Sequence, residues 1–407
     1  MISLTGMVVS NHRNAGSERR NGGSQSPDCW LKRSRNTHIA FEDEKYSVLK
    51  CTLDVTDLKE RHYYRFDALL ETPELKHRFF YICYDSEDME THKGHLCSGQ
   101  KILIPKGCKK VVLELLLFSH KLGTAVLKGV TLTEEGPYTP RKVRLCAVSW
   151  DMIDGGVFKT YEENVANVMK ELDTVGPLQP DVVVFTEAVY QTGRDHIRQP
   201  NVHFSRLDDA DVAKLCAKAK QYNTYIVCSL CEEDDGLQRL TGLLINRNGE
   251  IQNLYHKTHL TMGELESGCI LENELPIFKT DFGTVGIQIC WDHFFPECSR
   301  VLALRGAEIL LIPTHGFRRE RTLTRALENG VFLVSAYTHN EGTMVVSSNG
   351  KVLDEAGEKG YAFAEVDLNE PIWCPWLACG SSSEPNPTYL MERRPELYAD
   401  LCIPLEY

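Results

Sequence analysis

No stretch of this sequence approaches the unbroken apolar run that a membrane-spanning helix needs. Cationic residues are not in excess either: 45 Lys and Arg stand against 57 Asp and Glu, a formal net charge of -12. Without a basic, aromatic-studded stripe, general nucleic-acid binding drops out as a function class. Glycines never take the spacing Gly-x-Gly-x-x-Gly after a strand-like run, which removes a phosphate-cradling loop. Metal-ligand spacing is missing as well. Cys228-Ser-Leu-Cys231 has no second pair at zinc-finger distance, and His92, His95 and Cys97 have no fourth ligand nearby. The first ten residues hold no basic stretch leading into a long apolar one, so no secretory signal is expected. The 15 cysteines are odd in number and irregularly spaced, and Cys146, Cys228 and Cys290 fall inside apolar runs. That usage points to free thiols in a reducing compartment, the cytoplasm.

What is present suggests two domains, since 407 residues with 42% hydrophobic content exceed one compact domain of ordinary size. Residues 1–37 are expected to form a disordered tail, because 11–36 are rich in Asn, Arg, Ser and Gly. An organellar targeting peptide is the other reading, but the apolar residues there do not recur on a helical face. Over residues 38–135 strand follows strand, at 45–55, 61–70, 77–85, 100–105, 111–118 and 124–132, with Gly, Pro, Asp, Ser or Lys clusters between. Many short strands without helices read as an antiparallel β-sandwich. Residues 111–132 resemble the last strands of jelly-roll, carbohydrate-binding-like modules. A sugar or small-ligand site and a structural, oligomerising or docking role both stay open there. Gly136-Pro-Tyr-Thr-Pro-Arg141 marks a linker.

Beyond Lys142 the pattern changes to alternating strands and amphipathic helices. Strands are expected at 143–149, 181–186, 224–229, 284–289, 309–313, 331–337 and 343–348, and helices at 158–175, 208–222, 295–305 and 320–328. Asn246-Arg-Asn-Gly249 and Ser348-Asn-Gly350 read as hairpin turns. The fold class is layered α/β.

Three short stretches of this region each carry one reactive side chain: Glu187 after Asp181-Val-Val-Val-Phe-Thr, Lys257 in Tyr-His-Lys-Thr-His-Leu, and Cys290 in Gly286-Ile-Gln-Ile-Cys-Trp-Asp-His. An acid, a cation and a thiol are the parts of acyl transfer through a thioester. These stretches, with Phe295-Pro-Glu-Cys-Ser-Arg300, residues 302–314, Arg325-Ala-Leu-Glu-Asn329, residues 347–353 and Arg393-Arg-Pro-Glu-Leu-Tyr398, resemble the carbon–nitrogen hydrolase (nitrilase) superfamily over about 260 residues, a full domain.

The resemblance implies a four-layer αββα sandwich over residues 142–407, paired into homodimers or higher homo-oligomers, with no metal or organic cofactor. It implies Cys290 as nucleophile, Glu187 as general base and acid, and Lys257 as oxyanion partner, helped by the backbone N–H of Trp291. A second glutamate between lysine and cysteine would be Glu264 or Glu266. Glu264 is preferred because it follows a glycine able to turn sharply. Trp291, Asp292, His293, His315 and Gly316 are candidate substrate-binding residues, and His315 could equally be structural. The expected reaction is hydrolysis of a small linear amide or an N-carbamoyl amine, with a nitrile as the alternative substrate. A non-catalytic binding scaffold is the rival of a different class.

Overall fold

The computed structural model describes residues 2–3, 8–12, 37–41, 47–72, 76–119, 123–150, 153–154, 157–158, 160–190, 203–375, 382–383 and 389–404. The chain divides into two compact units, 1–139 with 373–391, and 140–372 with 392–407.

In the first unit, Gly123–Pro137 pairs antiparallel with Ile2–Ser3, Thr37–Phe41 and His62–Glu71, and the last of these with Lys101–Leu103. A second sheet runs Val8–His12, Ser47–Val55, Lys110–Ser119, Lys76–Tyr84, Glu90–Leu96, then Ser382–Ser383 and Cys374–Pro375. Alternation along the strands turns Phe79, Tyr81, Leu113 and Leu115 inward, where they meet Phe66, Leu127 and Leu132 of the first sheet in one core. Some elements lie outside the strands expected from the sequence. Ile2–Ser3 and Val8–His12 form strands where the composition suggested a disordered tail, because apolar Ile2, Val8 and Val9 precede the polar run. Residues 1, 4–7 and 13–36 of the tail lie outside the described residues, and Thr37 begins the strand Thr37–Phe41. Glu90–Leu96 is a strand without an apolar alternation to announce it. Its Gly94 sits over the Tyr81 ring, where an added Cβ would come within 2.4 Å of the ring edge.

The second unit contains two six-stranded sheets. In chain order the first draws on β1 (Lys142–Val148), β2 (Val182–Val184), β3 (Tyr225–Asp234), β4 (Leu237–Ile245) and β5 (Ile251–His256). The second is built from β6 (Ile277–Lys279), β7 (Thr284–Ile287), β8 (Ile309–Pro313), β9 (Phe332–Ala336), β10 (Met344–Val346) and β11 (Val352–Glu355). A final strand, β12 (Tyr361–Asp367), returns to pair with β1. Their orders are β5-β4-β3-β2-β1-β12 and β6-β7-β8-β9-β10-β11. The central strands β1, β2 and β3, and likewise β7, β8 and β9, run parallel, as their near-continuous apolar sequences require for burial on both faces.

Between the sheets, Val143, Leu145, Val182 and Val184 meet Val285, Ile287, Ile309 and Leu311. On the outer face of the first sheet, Val165, Val168 and Leu172 of α1 (Tyr161–Val175) and Val212, Leu215 and Ala219 of α2 (Ala210–Tyr222) cover Cys146, Val183 and Ile226. Thr160 and Glu163 close a reciprocal cap at the start of α1. After a short helix, α3 (Met262–Glu266), α4 (Pro296–Leu304) and α5 (Arg319–Asn329) follow. Leu302 of α4 lies against Gly286 of β7, where a side chain would intrude, so α4 packs directly on the second sheet.

Candidate active site

Ligand sites of α/β proteins lie beyond the carboxyl ends of the parallel strands. Three such ends, and the end of antiparallel β5, supply the site. Glu187 follows β2, Lys257 follows β5, Cys290 follows β7, and Thr314 with His315 follows β8. Thr186 ties two of these ends together, its buried hydroxyl donating to the Thr314 carbonyl at 2.7 Å.

Lys257 is the centre of the arrangement. Its side chain is wholly buried, and Nζ donates to Glu187 Oε1 and to Glu264 Oε1, each at 2.7 Å. Burial opposes its charge, but Glu187, the Cys290 thiol and Glu264 outweigh burial and raise its pKa above the ordinary lysine value. Glu264 divides its carboxylate. One oxygen meets Lys257, while the other accepts the Thr261 N–H at 2.7 Å in a capping box at the start of α3. Burial and the charge of Glu187 push the Glu264 carboxyl up, against the pull of Lys257. Glu266, two residues on, is exposed.

Cys290 adopts φ +45°, a conformation that L residues rarely take and that costs energy unless the surroundings impose it. Burial first, then the charge of Glu187, pushes its thiol up to about 12; Lys257, the His315 backbone and the Thr314 hydroxyl act in the opposite direction. The resting thiol is therefore protonated at neutral pH and needs a base at the moment of attack. Gly316 leaves room beside it, since a Cβ there would stand 3.4 Å from Cys290 Sγ and 3.3 Å from the Phe294 ring.

The remaining candidates divide. Trp291 is half-buried, with ring contacts to Phe294 at 4.6 Å and Phe295 at 5.8 Å between centroids. His315 stands next to the thiol through its backbone and feels the charges of Glu187 and Lys257. Asp292, expected to bind substrate, is fully buried, and its carboxylate accepts from Tyr255, Thr258, His259 and Ile289. His293, also expected there, turns towards α5, with Nε2 3.4 Å from the Thr322 hydroxyl. Burial, with Arg325 and Arg321 nearby, pushes it down to about 3, so it is neutral. Thr186 and Thr314 escaped the sequence reading. Their position at strand ends was the available signal, but threonine carries no chemical mark of its own.

A family model described as carbon-nitrogen hydrolase matches residues 142–371. A probable nitrilase of Schizosaccharomyces pombe is 29% identical over 214 residues, 46% of this chain and 72% of that protein. An N-carbamoylputrescine amidase of Oryza sativa subsp. japonica is 36% identical over 100 residues, 24% of this chain and 33% of that protein. Several curated relatives are matched over less than half their own length. A solved amidase from Nesterenkonia sp. AN1, carrying the result of Michael addition of acrylamide at its active site cysteine, covers 64% of this chain and 99% of its own. It has a TM-score of 0.51 at 20% identity, a likeness of fold.

Proposed function

Because the chain belongs to the carbon–nitrogen hydrolase family, we propose that it hydrolyses a small linear amide or an N-carbamoyl amine through a thioester on Cys290. The observation that carries this reading is the buried Lys257, held by two carboxylates beside a buried thiol at positive φ. Glu187 takes the Cys290 proton as sulfur attacks the carbonyl carbon. That transfer moves a proton within the buried group and leaves its net charge unchanged, so no charge has to enter from solvent. Lys257 Nζ and the backbone N–H of Trp291 receive the oxyanion. When the tetrahedral adduct collapses, Glu187 returns the proton to the departing nitrogen, and ammonia or amine leaves. Water then attacks the thioester, Glu187 takes its proton, and the acid departs as Glu187 reprotonates the sulfur. A carbamoyl group would end as carbon dioxide and ammonia beside the free amine.

The likeness to the rice N-carbamoylputrescine amidase supports amide or carbamoyl substrates. The likeness to a probable nitrilase keeps nitrile hydrolysis as the second reading. Twelve free cysteines among the described residues support a cytoplasmic setting. For the catalytic unit we carry forward the four-layer αββα arrangement and pairing into homodimers. For residues 38–135 we carry forward the jelly-roll-like sandwich.

Ammonia release from ω-amides, N-carbamoyl amines and nitriles, with Cys290→Ala run in parallel, tests the reading. Release from an amide or carbamoyl compound is expected, lost by a factor of at least ~10³ in the variant, as when one member of a catalytic set is removed. Release from nitriles alone would select the second reading. Release that survives in Cys290→Ala would overturn both.

A further inference from the structure

Asp292 is a fully buried acid two residues beyond the nucleophile, and the chemistry above gives it no part. Its oxygens face two different segments. Oδ1 accepts the His259 backbone N–H at 2.8 Å and the Thr258 hydroxyl at 3.0 Å, and His259 Nδ1 lies 3.1 Å away. Oδ2 accepts the Tyr255 hydroxyl at 2.7 Å and the Ile289 backbone N–H at 2.9 Å. Tyr255, Thr258 and His259 flank Lys257, while Ile289 immediately precedes Cys290. The Asp292 N–H in turn donates to the Ile289 carbonyl at 3.1 Å. Residues 289 and 292 therefore bond reciprocally around Cys290, held at φ +45°.

We propose that Asp292 is a positioning residue, its carboxylate locking the nucleophile turn and fixing Cys290 against the segment that carries Lys257. The inference rests on the thiol-hydrolase reading and adds a residue to it. A strained backbone persists only where its surroundings over-determine it, and here one side chain bonds both sides of the strained position's turn. A misplacement of about 1 Å in such a site can cost ~10² in rate.

The donor inventory makes the claim specific. Both Asp292 oxygens face a backbone N–H, which cannot rotate away or turn into an acceptor. Asparagine has the same shape but only one acceptor oxygen. Whichever way its amide turns, its NH₂ opposes the N–H of His259 or of Ile289. Asp292→Asn therefore tests charge and donor count with volume held constant. Tyr255→Phe is the gentler companion, removing one hydroxyl from Oδ2 and leaving the backbone bond.

The experiment uses the full chain and two readouts. One is the rate of carboxamidomethylation of Cys290 by iodoacetamide, followed by peptide mass spectrometry against the other cysteines. The other is kcat and KM on the substrate found in the ammonia panel, normalised to titrated active sites, with folding checked by circular dichroism. Asp292→Asn is expected to slow Cys290 labelling and per-site kcat by ~100-fold with KM changed by less than about threefold, as loss of positioning implies. Tyr255→Phe is expected to slow both by ~10-fold, in proportion to one lost bond of about 1.4 kcal/mol.

A purely structural Asp292 would reduce the number of titratable sites and leave the rate at each site unchanged. That result overturns the proposal. Should Asp292→Asn fail to fold, Tyr255→Phe decides, and rates within twofold of wild type overturn it. Wild-type Cys290 labelling no faster than the other thiols would instead remove the thiol-hydrolase reading beneath it.

Discussion

Two buried carboxylates, Glu187 and Glu264, share the Lys257 ammonium, so the cation holds the site together besides being the proposed oxyanion partner. Removing one partner of a buried ionic group leaves uncompensated charge, with a cost of roughly 3–5 kcal/mol. Lys257→Met is expected to abolish hydrolysis and destabilise the fold by about that much at pH 8. The pH dependence has a definite sign. Without the ammonium, mutual repulsion and burial raise the folded pKa of the carboxylates above the unfolded value of about 4.3. Groups shifted that way contribute stability below the unfolded pKa and lose it as pH rises through the folded one. The deficit against wild type should therefore be smaller at pH 5 than at pH 8 in urea titrations. An equal deficit at both values would mean that buried charge is not the cause. Residue choice was only partly legible beforehand. Thr261-Met-Gly-Glu264 is a capping-box pattern, and reading it as a helix start would have selected Glu264 over Glu266 on physical grounds. No such pattern exists for Asp292 and His293. Their place after Cys290 suggested a pocket, but the short 3₁₀ turn of residues 290–294 aims both side chains into protein, and sequence spacing does not encode that direction.

At the scale of elements, the turns separate backbone strain from steric clash. Gly249 closes the turn between β4 and β5 at φ +78°, and a Cβ there would lie 2.4 Å from the Cys216 carbonyl oxygen of α2. Gly236, between β3 and β4, has the same φ of +78° with nothing within 4 Å. Gly236→Ala should cost about 1 kcal/mol for the left-handed backbone. Gly249→Ala should cost at least ~1 kcal/mol more, because α2 or the turn must also shift. Denaturant midpoints of the two variants check this, and equal losses would show that α2 does not press on the turn. Asn-Arg-Asn-Gly was readable as this hairpin because glycine at positive φ has a sequence signature. The parallel strands were equally readable, since Val182-Val-Val184 and Ile309-Leu-Leu-Ile-Pro313 are covered on both faces and must be apolar throughout. Glu90–Leu96 was not, because a strand of Glu, Thr, His, Lys and Gly is recruited by backbone bonds to Lys76–Tyr84 and leaves no hydrophobic period.

Over the whole molecule, the match to the carbon–nitrogen hydrolase family lies within the second compact unit, which also contains every residue of the proposed reaction. The two central parallel segments of its sheets bring Glu187 and Cys290 to strand ends, and the antiparallel β3-β4-β5 meander delivers Lys257 and then Glu264. This is why an acid, a cation and a thiol separated by 70 and 33 positions in sequence come together once the strands pair. The acyl-enzyme itself is the central claim. Acid quench during turnover of whichever amide or carbamoyl compound releases ammonia, followed by peptide mass spectrometry, should find the acyl group on Cys290 and on no other cysteine. Steady turnover with no adduct on Cys290, or with the adduct on another side chain, would contradict the account.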